Sequence, residues 1–340
     1  MRLWLLVMYS CVSSFRIIST RFAARRWFST NVNVITFAKE STVENAFNNA
    51  QKWLLEKNVY DSDESARHML AEAAKLGYRR SDFNDNLKKV LSSEELELYA
   101  KFCQQRSLGV PVQYIIGNWD FYGLTFDCKP PILIPRWETE ELIQNILYTN
   151  VLQNISKPRI LDIGAGTGAI GIALAYELPT GSCDAIDINL VAVDLAKKNA
   201  DKILGSNSRT RYNCIHSSFL DYVNSGIGNG LFDLIVSNPP YIPSDEIPRL
   251  HTEVKDHEDP VALDGGSDGL DIVRDIITHF PKLVSESGTK ELWMEVSCEH
   301  PPRIRLWIDA QHSKGLLLNI EFVSQINDSC GPRFVRLRCK

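Results

Sequence analysis

The sequence has no C-x-x-C pair and no histidine cluster beside its eight cysteines, at 11, 103, 128, 183, 214, 298, 330 and 339. That argues against a zinc site and against a disulfide scaffold, leaving most of them as small buried apolar groups in a reducing compartment. No apolar run approaches the roughly 18 residues of a membrane-spanning helix. A basic excess is missing as well: 37 Lys and Arg stand against 42 Asp and Glu, a net charge of −5. A protein that gripped duplex nucleic acid mainly through its phosphates would be basic. Low complexity is absent too. With 340 residues, 44% hydrophobic and 23% charged, the chain has material for a sizeable core and about two domains plus a tail.

Acidic residues are missing altogether before Glu40, where Arg2, Arg16, Arg21, Arg25, Arg26 and Lys39 stand among serines, threonines and aromatics. Arg-rich, Ser-rich and acid-free is the composition of a mitochondrial transit peptide. Arg25-Arg26-Trp27-Phe28-Ser29-Thr30 resembles an Arg-x-Phe-Ser processing site. The apolar run at 3–8 is short and followed by several arginines, which disfavours a secretory signal. Cleavage near Ser29 removes five of the 37 basic residues, taking the net charge to −10. Residues 1–39 are therefore read as an address to the mitochondrial matrix.

From 41 to 107 the spacing predicts helices. Val43, Ala46, Phe47, Ala50, Trp53 and Leu54 recur at helical intervals, as do Ala66, Met69, Leu70, Ala73 and Ala74 ahead of a C-cap at Gly77. Ser92 offers an N-cap before Glu94 and Glu95. The segment 112–128, with Gly117-Asn118 and Gly123 between β-formers, reads as a β-hairpin linker. Strand and helix patterns then alternate, the mark of a parallel α/β sheet. Strands are expected at 159–163, 183–188, 211–215, 232–237, 291–296, 317–323 and 334–338. The last two, joined too tightly for a helix, suit an antiparallel edge pair. The expected division is a helical domain at 40–108, a linker at 109–132 and an α/β domain at 133–340.

Ile160-Leu161-Asp162-Ile163 runs straight into Gly164-Ala165-Gly166-Thr167-Gly168, a buried strand meeting a glycine turn before a helix. Glycines there let the backbone turn tightly and let a ligand approach where a Cβ would collide. Asp187 ends the next strand, where a carboxylate can accept hydrogen bonds from both ribose hydroxyls. A nucleoside-containing cofactor follows. The loop also fits a dinucleotide site. Asp162 could face the ammonium of a methionine moiety, or equally cap the following helix.

Phe232-Asp233-Leu234-Ile235-Val236-Ser237 leads into Asn238-Pro239-Pro240-Tyr241. Two prolines force a stiff, extended exit from the sheet, at the strand ends where open α/β sheets bind ligands. The Asn238 side-chain oxygen and the Pro239 carbonyl can each accept one hydrogen of a planar NH₂ group while the Tyr241 ring covers its face. An amide nitrogen is a poor nucleophile. Fixed acceptors hold it in line with an electrophilic methyl and stabilise the positive charge that builds during transfer.

Together these residues resemble the HemK/PrmC family, the peptide chain release factor glutamine N5-methyltransferases, from about Val43 onward. The likeness is carried by Gly109-Val110-Pro111-Val112-Gln113-Tyr114-Ile115-Ile116-Gly117, Leu133-Ile134-Pro135-Arg136-Trp137-Glu138-Thr139-Glu140, the glycine loop and Asn238-Pro239-Pro240-Tyr241. It continues through Glu253-Val254, Ala262-Leu263-Asp264-Gly265-Gly266 and Asp268-Gly269-Leu270. The resemblance implies a seven-stranded, Rossmann-like class I S-adenosylmethionine-dependent methyltransferase sheet behind a helical N-terminal domain. It implies methylation of the glutamine in the Gly-Gly-Gln loop of a class I release factor, here a mitochondrial one. By position, Gly164, Ala165, Gly166, Thr167, Gly168 and Asp187 would hold S-adenosylmethionine, with Phe219 near its adenine. Asn238 would contact both partners, and Pro239, Pro240 and Tyr241 would complete the glutamine pocket. The chain departs from the family pattern at Trp137, where Pro is usual, at Ser218, at Phe219, and at Asp259 after His257-Glu258.

Arg136, Glu138 and Glu140 either line the rim of the pocket or answer the helix dipole. An N6-adenine or N4-cytosine nucleic-acid methyltransferase would meet the same NH₂ geometry, but needs a positive track and a pocket for a flipped base. A non-enzymatic scaffold would have no use for the glycines, Asp187 and Asn238, and a dehydrogenase would need a hydride-transfer acid. No metal, membrane or nucleic-acid partner is expected, and a monomer suffices.

Overall fold

The computed structural model describes residues 34–328 and 331–340; the expected processing site, Cys11 and Cys330 lie outside them. The chain first forms α1 (Val43–Glu56), α2 (Ser62–Ala74), α3 (Arg80–Asp85) and α4 (Ser93–Ser107). Thr42 and Ser92 cap the starts of α1 and α4, and Glu95 completes a capping box with Ser92. α2 stops earlier than expected, on Lys75 in the left-handed region at φ 51°. Gly77, at φ 82°, serves the next turn instead, pressed against Asp82. Val43, Ala46, Ala50, Leu54, Met69, Leu70 and Tyr99 form the buried centre of this helical region.

The linker differs from the expected hairpin at its start. Val112–Ile116 coils into a short helix, α5, between Pro111 and Gly117. Apolar runs this short carry no decisive period, and the proline start with a left-handed glycine end favours the helix. The hairpin proper is β1 (Asn118–Phe121) with β2 (Leu124–Asp127), turning through Tyr122 and Gly123 at φ 52° and 72°.

The remaining elements are α6 (Trp137–Tyr148), β3 (Arg159–Ile163), α7 (Ala169–Glu177), β4 (Ser182–Asp187), α8 (Leu190–Leu204), α9 (Ser208–Arg211) and β5 (Tyr212–His216). They continue with α10 (Phe219–Ser225), β6 (Leu234–Ser237), α11 (Thr252–Lys255), α12 (Asp271–His279), β7 (Glu291–Glu295), α13 (His300–Ser313), β8 (Ile320–Asp328) and β9 (Gly331–Cys339). Seven strands form one sheet in the order β5-β4-β3-β6-β7-β9-β8. All neighbours from β5 to β7 run parallel, and β9 is antiparallel to both β7 and β8. Every expected strand is present, including the antiparallel pair at the edge.

Strand side chains alternate between two helix layers. Ile160, Leu234 and Val236 enter the core shared with α6, α7 and α8, while Leu161, Ile163 and Ile235 enter the core shared with α10, α12 and α13. Strand order reverses between β3 and β6, so the crevice for a ligand opens at their carboxyl ends. Among the described residues no helix is long and apolar enough to cross a membrane, and no cluster of side chains could hold a metal ion. Five of the six described cysteines are buried and none is in a disulfide; Cys298 is half-buried.

Candidate active site

Register alone brings the two motifs together. Ile163 pairs with Ser237 on one side and with Ile186 on the other, while Ser237 pairs with Met294. One residue further along each strand stand Gly164, Asp187, Asn238 and Glu295, a single row across the carboxyl edge of the sheet. The glycine loop and the Asn-Pro-Pro-Tyr turn therefore face the same crevice.

Gly164, Gly166 and Gly168 take φ of 79°, 55° and 83°, a region side chains with a Cβ avoid. Their surroundings differ. A Cβ on Gly168 would strike Ile172 at 2.6 Å, so that glycine serves packing. A Cβ on Gly164 would meet nothing within 4 Å, and on Gly166 only Ile132 at 4.0 Å, so the loop leaves open room on its outer side. Ala165 and Thr167 are buried. Asp187 accepts from the amides of Gly166 and Asn189, both at 2.8 Å, and stays half-buried with lone pairs to spare for hydroxyls. Burial pushes its carboxyl up, against those two amides. An open glycine cradle beside a ribose-type acid and an amide pocket fits S-adenosylmethionine.

A dinucleotide pyrophosphate fits less well. The amides of Gly164 and Ala165 already donate to Ile186, that of Gly166 to Asp187, and that of Gly168 to Ala165. Asp162 is fully buried; its Oδ2 accepts the Gly171 amide at 3.0 Å in the first turn of α7, which is the capping geometry, while its Oδ1 has no hydrogen-bond partner among the described residues. Burial raises its carboxyl to about 7, with the Gly171 amide opposing.

The Asn-Pro-Pro-Tyr turn rests on a second glycine segment. A Cβ at Gly265 would lie 2.8 Å from the Pro240 carbonyl oxygen and the Tyr241 Cα, and one at Gly269 would lie 2.4 Å from the Tyr241 carbonyl oxygen. The Ile242 amide donates to Leu263, and the Gly265 amide to Ile242, in a short parallel bridge. The glycines of that segment thus let one loop lie directly on the other. Pro239 is buried; Asn238, Pro240 and Tyr241 are half-buried. Burial pushes the Tyr241 phenol far up, keeping it neutral. Asn238 Nδ2 donates to Thr139 Oγ1 at 3.3 Å, leaving the carboxamide oxygen as its unengaged end among these contacts.

The charged rim is mostly spoken for. Arg136 Nη2 reaches both oxygens of the buried Glu258 at 2.7 Å, and Glu140 accepts the Tyr122 amide at 2.9 Å. Asp259, where the chain departs from the family pattern, binds Asn189 Nδ2 at 2.7 Å and ties this loop to the start of α8. Ser218 caps α10 through the Asp221 amide, a Ser-x-x-Asp signature visible in the sequence. Phe219 opens that helix and packs edge-on to His279, centroids 6.4 Å apart, beside the core shared with α10, α12 and α13. Trp137 is exposed. A groove of about 540 Å³ runs between Tyr60 and Asp61 of the helical region and Arg136, His251 and Glu253 of the α/β region. Buried Arg106 joins two of its lining residues, binding Asp61 and Glu253 at 2.7 Å each.

Comparison with known proteins agrees with this geometry. Residues 45–117 match the PrmC N-terminal domain and residues 143–253 the methyltransferase small domain. The human MTRF1L release factor glutamine methyltransferase is 36% identical over 255 residues, 73% of each chain. The chain belongs to the release factor glutamine methyltransferase family. Relatives named release factor glutamine methyltransferase from Geobacter sulfurreducens (34% identical, 73% of this chain, 82% of the relative) and Bacillus subtilis (35% identical, 62% and 71%) agree. The fold is that of a class I methyltransferase with a small helical N-terminal region, and the methyl donor of this methyltransferase is S-adenosylmethionine.

Two polar residues at this edge were given no role by the sequence, although Thr139 lies within a quoted motif and Glu295 ends an expected strand. Thr139 lies on the apolar face of α6 with Leu142, Ile143 and Ile146, and is 4% exposed. Glu295 ends an otherwise apolar strand and is 1% exposed. A polar group at an inward position was the signal in both cases.

Proposed function

We propose that this enzyme transfers a methyl group from S-adenosylmethionine to the side-chain N5 of the glutamine in the Gly-Gly-Gln loop of a mitochondrial class I release factor. The observation that carries this reading is the row of Gly164, Asp187 and Asn238 along one sheet edge. In it, the glycine loop and Asp187 bind the donor, with Phe219 beside the adenine. Asn238 Oδ1 and the Pro239 carbonyl accept the two amide hydrogens, and Pro240 and Tyr241 enclose the flat group. When bound, S-adenosylmethionine supplies the methyl electrophile and keeps the electron pair of the broken carbon–sulfur bond. The chain's acceptors stabilise the charge growing on the nitrogen until one proton leaves. Asp162, buried and capping, takes no part.

The relatives' printed substrate and the acid-free, arginine-bearing residues 1–39 support the release factor and the mitochondrial address. In this reading residues 40–108 recognise the substrate, 109–132 link, 133–340 catalyse, and one copy suffices. Purified protein with labelled donor is expected to label the glutamine of a Gly-Gly-Gln release factor and to leave a Gln→Ala factor, DNA and RNA unlabelled. Donor binding without transfer to any Gly-Gly-Gln protein overturns the substrate; label in nucleic acid replaces it.

A further inference from the structure

Asn238 has two ends of nearly equal size and opposite hydrogen-bonding character. Only the oxygen can accept an amide hydrogen; the NH₂ end would oppose one. Something must therefore keep the carboxamide from turning over. Thr139 Oγ1 accepts from Asn238 Nδ2 at 3.3 Å and donates to Glu295 Oε2 at 2.7 Å. Thr139 and Glu295 are 4% and 1% exposed, so water does not compete freely for either bond.

We propose that Thr139 and Glu295 are positioning residues, a relay that fixes which end of the Asn238 carboxamide faces the methyl acceptor. This rests on the role given to Asn238 above. A hydroxyl carries one hydrogen. Once it goes to the Glu295 carboxylate, Thr139 has only a lone pair to offer Asn238, so Nδ2 turns inward and Oδ1 outward.

The charges around Glu295 tune the relay. Burial raises its carboxyl to about 7, the Arg333 guanidinium of β9 acts to lower it, and Glu138 of α6 and Asp328 of β8 add to the rise. The Tyr241 phenol lies in the same field and is neutral. A protonated Glu295 can donate to Thr139, releasing the hydroxyl hydrogen toward Asn238 and removing the preference. Turnover then carries an acid limb near 7, although the substrate amide does not titrate there.

The test is methyl transfer to a Gly-Gly-Gln release factor by wild type, Thr139→Val, Thr139→Ser and Glu295→Gln, with donor binding measured by calorimetry. Thr139→Val is expected to lower kcat about 10–100-fold while KM and donor affinity stay within about threefold. Thr139→Ser keeps the hydroxyl and recovers most of that loss. Glu295→Gln, whose oxygen accepts without titrating, loses the acid limb. Thr139→Val turning over within about twofold of wild type overturns the relay, as does a loss of donor binding that parallels kcat. Should Thr139→Val fail to fold, an acid limb that persists in Glu295→Gln overturns it equally. A wild type that binds donor but transfers nothing overturns the substrate reading, whereas an active wild type matched by Thr139→Val overturns the relay alone.

Discussion

β7 carries two glutamates with the same exposure, 1%, at its opposite ends. Glu291, at the amino end, is saturated. Arg336 donates twice, at 2.6 and 2.9 Å, Arg338 at 2.6 Å and Trp293 at 2.9 Å. Burial alone would raise its carboxyl, but Arg336, Arg338 and Trp293 outweigh it and hold the group below the ordinary range. Glu295, at the carboxyl end, has one short bond from a hydroxyl and sits near 7. Both carboxyls are pushed up by burial, and the two differ most in the donors that oppose it. A buried carboxylate surrounded by donors fastens strands together; one left with a single neutral donor stays responsive, and it lies in the same row as Gly164, Asp187 and Asn238.

That contrast can be broken from either end of the sheet. Asn238→Ala is expected to cost about 10²–10³-fold in kcat with little change in melting temperature, measured by labelled methyl transfer and thermal unfolding. A matching fall in stability would mean the carboxyl edge is also cement. Glu291→Ala should do the reverse, leaving Arg336 and Arg338 without their partner. We expect about 3 kcal/mol less stability in urea titration and unchanged kcat for the folded fraction. Gly265→Ala, which pushes a Cβ to 2.8 Å from backbone of the Asn-Pro-Pro-Tyr turn, should cost about 1–3 kcal/mol and raise KM for the release factor together.

The smallest effect is the sign of the pH dependence. Asp162 and Glu295 have folded-state carboxyls raised to about 7, so what they lend to stability is full below the unfolded carboxyl range and is lost as pH rises through 7. Glu291 is depressed, so its contribution is present above the unfolded range and lost as pH falls. Asp162→Asn should therefore flatten the fall in unfolding free energy between about pH 4 and 7, read from urea titrations across that range, and leave the slope above pH 7 unchanged.

Much of the fold was legible because its signals are local. The central strands β3 and β6 are short, mostly apolar runs ahead of turn residues, and the antiparallel edge pair follows from a connection too short for a crossover helix. Val112–Ile116 misled because a five-residue stretch with only Gln113 polar fits either period. At the site, glycines and prolines announced themselves by what they do to backbone. Charges were poorer guides. Arg136 and Glu140, attractive as rim residues, bind Glu258 and the Tyr122 amide, and an uncharged residue between them, Thr139, reaches Asn238.

The amino-acid order by itself determined most of the backbone turns, the seven strands of the sheet, and the glycine and Asn-Pro-Pro-Tyr segments that end two of them. Those follow from torsional limits and periodicity within a few residues of each other. Tertiary structure decided which polar groups meet: Thr139 finds Asn238 across 99 residues and Glu295 across 156. Their meeting depends on strand register and on how α6 lies over the sheet, and a hydrogen bond between such distant residues has no local propensity to announce it.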